Sequence, residues 1–150
     1  RGGWGGWGRG GGGEVNVGVQ RASGKGLIRG PDLDGGRRAT GAADGYGPGP
    51  RGFREDLGLP QGAIPVSGTA QMIDAVRDQA AHGADWIKLY ADYHCGKAKG
   101  SMPTLTQEEL NVAVETAHSL GLPVAVHSTT AEGMWRSVMA GVDTIEQGYD

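Results

Sequence analysis

The pattern of apolar and polar residues predicts alternating helices and strands in the second half of the chain. Apolar residues recur at helical spacing in three segments, 69–81, 106–120 and 130–140. Short apolar runs at 84–90, 123–127 and 142–147 are typical of buried strands. A glycine precedes each run, at Gly83, Gly121 and Gly141, where it can end the preceding helix. This alternation predicts a parallel sheet with helical crossovers, in either an open doubly wound sheet or a closed barrel.

Two polar positions indicate where the later helices begin. Thr106 and Glu109 have the spacing of a capping box, and Thr130 can cap the helix that follows the second strand. In that last helix we expect Met134, Trp135 and Val138 to face inward.

The first part of the chain lacks this regularity. Of the thirty glycines, nineteen lie in the first third, where few apolar residues are available for burial. We therefore predict that residues 1–25 are disordered and that order begins at about Thr69. From Glu14 to Gly68 no sustained period is present, which predicts an irregular loop with little order before Gly52.

Composition excludes several classes of protein. The net charge of −3 and the pI near 5.8 argue against a general nucleic-acid binder and favour a small-molecule or protein partner. Cys95 is the single cysteine, which excludes an intramolecular disulfide and a four-cysteine zinc site. No run reaches the roughly 18 apolar residues of a membrane span, so we expect a cytoplasmic protein. The chain starts at Arg1 rather than methionine, and we expect it to be part of a longer one.

Polar residues lie near the C-terminal ends of the predicted strands, where parallel folds gather their reacting groups. They are Lys88, His127 and Gln147. Because side chains alternate, Lys88 and His127 should share a face opposite the apolar residues of their strands. Lys88 is either a lysine that extends its amine to solvent, a Schiff-base nucleophile or a carbamate that binds metal. His127 is either a core histidine or a metal ligand.

The other histidines have simpler explanations. We expect His118, within a helix, to be structural, and His82, at a helix end, to interact with the carbonyl dipoles there. His94 and Cys95 lie in the loop after the Lys88 strand, where they can touch a substrate, but nearby spacing offers no third ligand for a metal.

Several motifs together resemble the amidohydrolase superfamily, in its imidazolonepropionase-like and Xaa-Pro dipeptidase-like (prolidase-like) branch. The motifs are Gly-Ala-Asp-Trp-Ile-Lys-Leu-Tyr at 83–90, Val-Ala-Val-His at 124–127 and Ala-Gly-Val-Asp-Thr-Ile-Glu-Gln-Gly at 140–148. The resemblance covers roughly residues 26–150. It implies a (β/α)₈ barrel of which this chain contains about three consecutive units, with one or two divalent metals, usually zinc.

Site residues follow from the same resemblance. Lys88 matches a lysine that is carboxylated to bridge two metals, and His127 matches a histidine ligand on the next strand. Gln147 stands where the family has histidine, so its role as a ligand is in doubt. Tyr90 is a candidate substrate contact. The His-x-His pair and the proton-shuttling aspartate of the family are not found here, so no catalytic residue is assigned.

The resemblance favours a fragment of a metal-dependent amidohydrolase that acts on a dipeptide or another small amide and that forms a homo-oligomer when whole. Two alternatives stay open. One is an aldolase that uses Lys88 as a Schiff-base nucleophile. The other is a non-catalytic relative that keeps the fold for binding, which the glutamine at position 147 suggests.

Overall fold

A computed structural model describes residues 14–29, 35–46, 62–95, 97 and 99–148. The helices are α1 (Glu14–Gly24), α2 (Thr69–Ala81), α3 (Gln107–Ser119) and α4 (Ala131–Ala140). The strands are β1 (Ala39–Ala42), β2 (Ala63–Val66), β3 (Ile87–Tyr90), β4 (Asp92–Tyr93), β5 (Met102–Pro103), β6 (Val124–His127) and β7 (Thr144–Glu146).

Five strands form one parallel sheet in the order β2-β1-β3-β6-β7, and β4 and β5 form a separate antiparallel pair. Each crossover from β2 onward passes through a helix, as the alternation predicts. This confirms the α/β class. The arrangement is that of part of a (β/α)₈ barrel. In such a barrel the strands are parallel and the crossover helices cover one face of the sheet, as α2 and α3 do here.

The core lies between the sheet and helices α2 and α3. Alternate strand residues enter it, and they pack against apolar residues of these helices. Its members from the sheet are Ala42, Val66, Ile87, Leu89, Val124 and Val126, and those from the helices are Met72, Ala75, Val76, Leu110, Ala113, Val114 and Ala117. We call the opposite side of the sheet the inner face.

Both predicted helix caps are present. Thr106 accepts a hydrogen bond from the Glu109 amide at 3.1 Å, and the Glu109 carboxylate accepts one from the Thr106 amide at 2.8 Å. The same carboxylate accepts a hydrogen bond from the Gly68 amide at 2.7 Å, at the start of α2, which has no side-chain cap of its own. One buried anion therefore serves the positive ends of two helices.

The prediction of an irregular loop from Glu14 to Gly68 was wrong, and so was the prediction of little order before Gly52. Helix α1 and strands β1 and β2 lie in this region. Strand β1 has the sequence Ala-Thr-Gly-Ala, too small and too mixed to produce a period, and it forms because β2 and β3 pair with both of its edges. Residues 1–13, most of the segment predicted to be disordered, lie outside the described residues.

Helix α4 packs differently from the prediction. Trp135 and Val138 were expected to face inward, but they are 62% and 60% exposed. The residues buried in α4 are Gly133 and Ser137. Because Gly133 and Ser137 are small, α4 can approach the loop that contains Ser128 closely. The pattern of apolar residues alone does not reveal such a contact. Among the described residues, no helix is long and apolar enough to cross a membrane.

Candidate active site

Lys88 and His127 lie on the inner face of neighbouring strands, near the C-terminal ends. Lys88 is opposite Ala125 in the register of β3 and β6, and Tyr90 is opposite His127. Ile87, Leu89, Val124 and Val126 point the other way into the helix-covered core. The alternation argument for these two side chains is therefore confirmed, and it gives them one common surface.

Glu146 joins this surface, a residue that the sequence analysis missed. In the register of β6 and β7, Glu146 is opposite His127. Its carboxylate accepts a hydrogen bond from the amine of Lys88, and the side chains are 20% and 7% exposed respectively. The Thr-Ile-Glu alternation of β7 is a signal that could have identified it, since only Thr144 and Glu146 share the inner face.

Gln147 follows the last residue of β7 and so lies outside the strand alternation. Its φ of 62° is in the left-handed region, which non-glycine residues seldom occupy. The side chain nevertheless reaches His127 and forms a hydrogen bond with it. The structure thus brings Gln147 to the site by a turn of the backbone, as a neighbour of the imidazole.

His127 is held in its neutral form. Burial lowers its pKa, and the positive charge of Lys88 acts in the same direction. The carboxylates of Asp92 and Glu146 and the hydrogen bond that Gln147 accepts from the ring oppose this shift but do not cancel it. A neutral imidazole keeps a lone pair available, which is the form that binds a metal ion or accepts a proton.

Aromatic rings surround the imidazole. Tyr90 lies 4.9 Å from His127 between ring centroids, with the planes tilted by 45°. Tyr46, from the loop after β1, stacks on Tyr90 at 4.2 Å and 11°. Tyr93 meets Tyr46 edge-on at 5.0 Å. Burial raises the pKa of Tyr90, and Tyr46 adds to the effect, so this phenol stays protonated.

A buried carboxylate fixes the loop that follows His127. Asp92 is fully buried and accepts hydrogen bonds from the hydroxyl of Ser128 at 2.7 Å and of Thr130 at 2.9 Å. The backbone amides of Thr129 and Thr130 also donate to it, each at 2.9 Å. Sequence reasoning missed Asp92, because an aspartate beside a loop carries no pattern. These bonds satisfy the buried charge and order the turn from β6 into α4.

Gly133 leaves space for this carboxylate. A Cβ atom at this position would lie 2.5 Å from an oxygen of Asp92 and 2.6 Å from the hydroxyl of Ser128. The helix begins with Thr130, whose hydroxyl accepts a hydrogen bond from the Gly133 amide at 3.0 Å. The small residue therefore allows α4 to start directly above Asp92.

The remaining histidines lie elsewhere. His118 bonds Asp143 at 2.8 Å, and Asp143 also accepts a hydrogen bond from the Val124 amide at 2.7 Å. This contact joins the end of α3 to the starts of β6 and β7, which confirms a structural role. His82 pairs with Asp78 at the end of α2. His94 is exposed and meets the edge of Tyr93 at 5.7 Å between ring centroids.

The donor set fits a metal only in part. Within the described residues, no group of three or more histidine, cysteine, aspartate or glutamate side chains is placed to hold a metal ion. A catalytic zinc takes three protein ligands. His127 supplies one neutral imidazole, and Lys88 could supply a second ligand only as a carbamate. The described part of the chain therefore does not supply the three protein ligands of a catalytic zinc.

A cavity of about 430 Å³ lies beside β7. Its lining includes Trp86, Ala125 and Thr144 of the inner face and, near the C-terminal end of the strand, Glu146 and Gln147. The buried indole N–H of Trp86 has no hydrogen-bond partner among the described residues.

Several solved structures that are similar to this chain are named as hydrolases. A Xaa-Pro dipeptidase with methionine bound in its active site matches with a TM-score of 0.79 and 33% identity, over 93% of this chain and 35% of its own. An amidohydrolase matches with a TM-score of 0.74 and 25% identity, over 91% and 35%. A prolidase complexed with N-methylphosphonate-L-proline matches with a TM-score of 0.72 and 26% identity, over 87% and 34%.

Curated relatives are known only as uncharacterized proteins. Those of Mycobacterium tuberculosis and Mycobacterium bovis are 30% identical over 86 residues, which is 57% of this chain and 23% of theirs. No family model matches. The chain thus spans about a quarter of the length of these relatives and about a third of the solved structures. In fold it is similar to part of the barrel of amidohydrolase and prolidase-type hydrolases.

Proposed function

We propose that this chain forms the middle of a metal-dependent hydrolase barrel that cleaves the C–N bond of a small amide or dipeptide. The observation that carries the proposal is the placement of a buried lysine and a neutral histidine, Lys88 and His127, side by side on the inner face of adjacent parallel strands. The likeness to a Xaa-Pro dipeptidase supports the prolidase-like branch rather than the imidazolonepropionase-like one.

In this proposal Lys88, as a carbamate, and His127 ligate one or two divalent metals, with zinc as the first choice. A bound metal would polarise the substrate carbonyl and lower the pKa of water. The other ligands come from segments beyond this chain. Gln147 offers a neutral amide oxygen, a weaker ligand than the imidazole in the family motif. Its hydrogen bond to His127 supports a role in orienting that ring.

The ion pair between Lys88 and Glu146 sets a condition on the carbamate. The amine is a cation beside a carboxylate, whereas a carbamate would place two anions together in a partly buried site. Like charges at this distance repel, so the carbamate needs a cation to compensate them. We therefore expect carboxylation of Lys88 only when metal is present.

A non-catalytic relative is the second candidate, and the same ion pair favours it. Glu146 already neutralises Lys88 without a metal, and Gln147 replaces the expected histidine. A barrel of this kind would bind a small molecule on its inner face without hydrolysing it. Metal content distinguishes the two functions.

The test is hydrolysis of Xaa-Pro dipeptides and N-acyl amino acids by the longer protein that carries this chain, with and without zinc. We expect zinc-dependent activity, and we expect His127→Ala to lower kcat/KM by about 100-fold or more, since even outer partners of metal ligands contribute 10- to 100-fold. His118→Ala is the matched control, an exposed histidine whose loss should leave kcat/KM within about twofold.

Three results would contradict this proposal. The first is a protein that purifies without metal and cannot be loaded, which favours the binding protein. The second is equal activity in the two histidine variants. The third is a covalent adduct on Lys88 after borohydride reduction with a carbonyl substrate, which favours the aldolase. The chain of 150 residues alone should be inactive, because an open sheet leaves the inner face uncovered.

A further inference from the structure

Three tyrosines form a wall beside His127. Tyr46, Tyr90 and Tyr93, which we call the tyrosine wall, come from the loop after β1, the end of β3 and strand β4. The ring of Tyr46 lies in the middle, with centroid distances of 4.2 Å to the stacked ring of Tyr90 and 5.0 Å to the edge-on ring of Tyr93. Each ring is partly exposed, so the wall presents aromatic surface at the C-terminal end of the sheet.

The backbone is shaped to hold this wall. A Cβ atom on Gly62 would lie 2.5 Å from the ring of Tyr46, so only glycine allows the ring to occupy its position. Gly41, opposite Tyr90 in the sheet, would place a Cβ atom 3.5 Å from that of Tyr90. Two separate loops and two strands therefore converge on the same three rings.

The charges around the wall are already compensated. Lys88 is paired with Glu146, and the carboxylate of Asp92 is fully buried and hydrogen-bonded by the loop at 128–130. A charged ligand group would gain no counterion from these residues and would lose its water, which is unfavourable.

We propose that the tyrosine wall is a subsite for an uncharged apolar or aromatic side chain of the amide substrate. This inference rests on the proposed function, because it places the side chain of the amide substrate next to the imidazole that would hold the metal. Aromatic rings attract one another in stacked and edge-to-face arrangements beyond the effect of buried area, and the preference is worth up to about tenfold in affinity.

The test uses the 150-residue chain itself, in metal-free buffer, with four ligands followed by NMR. They are the N-acetyl amides of L-phenylalanine, L-leucine, L-lysine and L-glutamate. We expect the phenylalanine compound to shift the ring signals of Tyr46, Tyr90 and Tyr93 and to bind about tenfold more tightly than the lysine and glutamate compounds, with leucine in between. The indole signal of Trp86, which lies in the cavity beside β7, should change little.

Two variants test the wall itself. Gly62→Ala should displace Tyr46 without removing a ring, and Tyr93→Leu should remove one ring that makes only edge contacts. Each should weaken binding of the phenylalanine compound by about threefold to tenfold. The control is Trp135→Leu, which removes an exposed aromatic residue from α4, on the helix-covered side of the sheet, and should leave the affinity unchanged.

The proposal is overturned if the four ligands bind equally, if none binds at millimolar concentration, or if the shifts centre on Trp86. It is also overturned if the charged compounds bind more tightly than the phenylalanine compound. None of these measurements involves metal or hydrolysis. A failed subsite with zinc-dependent activity, or a working subsite without it, would therefore separate this inference from the proposed function.

Discussion

The two faces of the central sheet differ in what their residues do, although the same strands supply both. On the helix-covered face, Ile87, Leu89, Val124 and Val126 are almost completely buried among apolar helix residues. On the inner face, Lys88 and His127 lie among carboxylates and tyrosines. Neighbouring residues such as Lys88 and Leu89 therefore belong to different environments.

This difference separates stability from chemistry. The helix-covered face is well packed at its centre, because the β3 and β6 residues there all belong to the apolar core. The inner face places polar groups where a parallel sheet normally has apolar cover. We infer that the first face folds the chain, whereas hydrolysis on the second would need a longer barrel.

The largest expected effect tests the helix-covered face. Leu89→Ala removes a side chain with no exposed surface from the centre of the core and should lower the free energy of unfolding by about 2–5 kcal/mol. Urea denaturation of the chain measures it.

The comparison variant changes the inner face one residue away. Lys88→Met with Glu146→Leu removes both members of the ion pair and leaves neither charge unpaired. Such replacements are often neutral, so we expect a change within about 1 kcal/mol. If the two variants lose equal stability, the division between the faces is wrong.

The sequence was most informative where local signals and packing agree. The apolar period, the capping box of Thr106 and Glu109 and the cap at Thr130 located α2, α3 and α4 to within a few residues. Strands β1 and β2 were not predicted, because Ala39–Ala42 and Ala63–Val66 become strands through pairing across the sheet, which no local pattern encodes. The prediction that Trp135 faces inward failed for a similar reason, because tertiary contacts bury the small residues of α4 and leave Trp135 exposed.

Within the candidate site, strand alternation placed Lys88 and His127 correctly. It could not identify Asp92, because the hydrogen bonds of this carboxylate are made with a loop that lies 36 residues later in the sequence. It also could not show that the Gln147 side chain contacts His127, because that contact depends on the left-handed backbone conformation of Gln147. The metal assignments of Lys88, His127 and Gln147, and the role of Tyr90, stay predictions. They need partners from outside this chain.

A substitution with an intermediate expected effect tests how α4 packs on Asp92, the contact that links the helix-covered side of the sheet to the loop after His127. Gly133→Ala places a methyl group against a carboxylate that several hydrogen bonds hold in place, so it cannot move freely. We expect a loss of about 1–3 kcal/mol. Thermal and urea unfolding measure it.

The matched control is Gly18→Ala, in the exposed interior of α1, where a Cβ atom would meet nothing within 4 Å. Helix propensity alone should then stabilise the protein by up to about 1 kcal/mol. Opposite signs for two glycine-to-alanine changes in helices are therefore expected. A stabilising Gly133→Ala would show that Asp92 does not need this space.

The smallest expected effect lies at the N-terminal ends of the strands, away from the inner-face chemistry. The hydrogen bond with His118 lowers the pKa of Asp143, and the Val124 amide adds to the effect. A depressed carboxyl pKa stabilises the fold above its ordinary value of 3.8, and this contribution is lost as the pH falls through the lower folded value. Since both side chains are 43% exposed, solvent screening keeps it below about 1 kcal/mol.

Asp143→Asn should therefore cost about 0.5–1 kcal/mol near neutral pH and almost nothing in strong acid, where the wild-type carboxyl is itself protonated. Unfolding by urea across this pH range gives the difference. The control is Asp78→Asn, which removes the same charge from the pair with His82 on the surface of α2, where the side chains are 58% and 55% exposed. Asp143 also accepts the Val124 amide and so anchors the first residue of β6, whereas Asp78 anchors no strand. Equal pH-dependent losses in the two variants would mean that the contact between α3, β6 and β7 adds nothing beyond a surface ion pair.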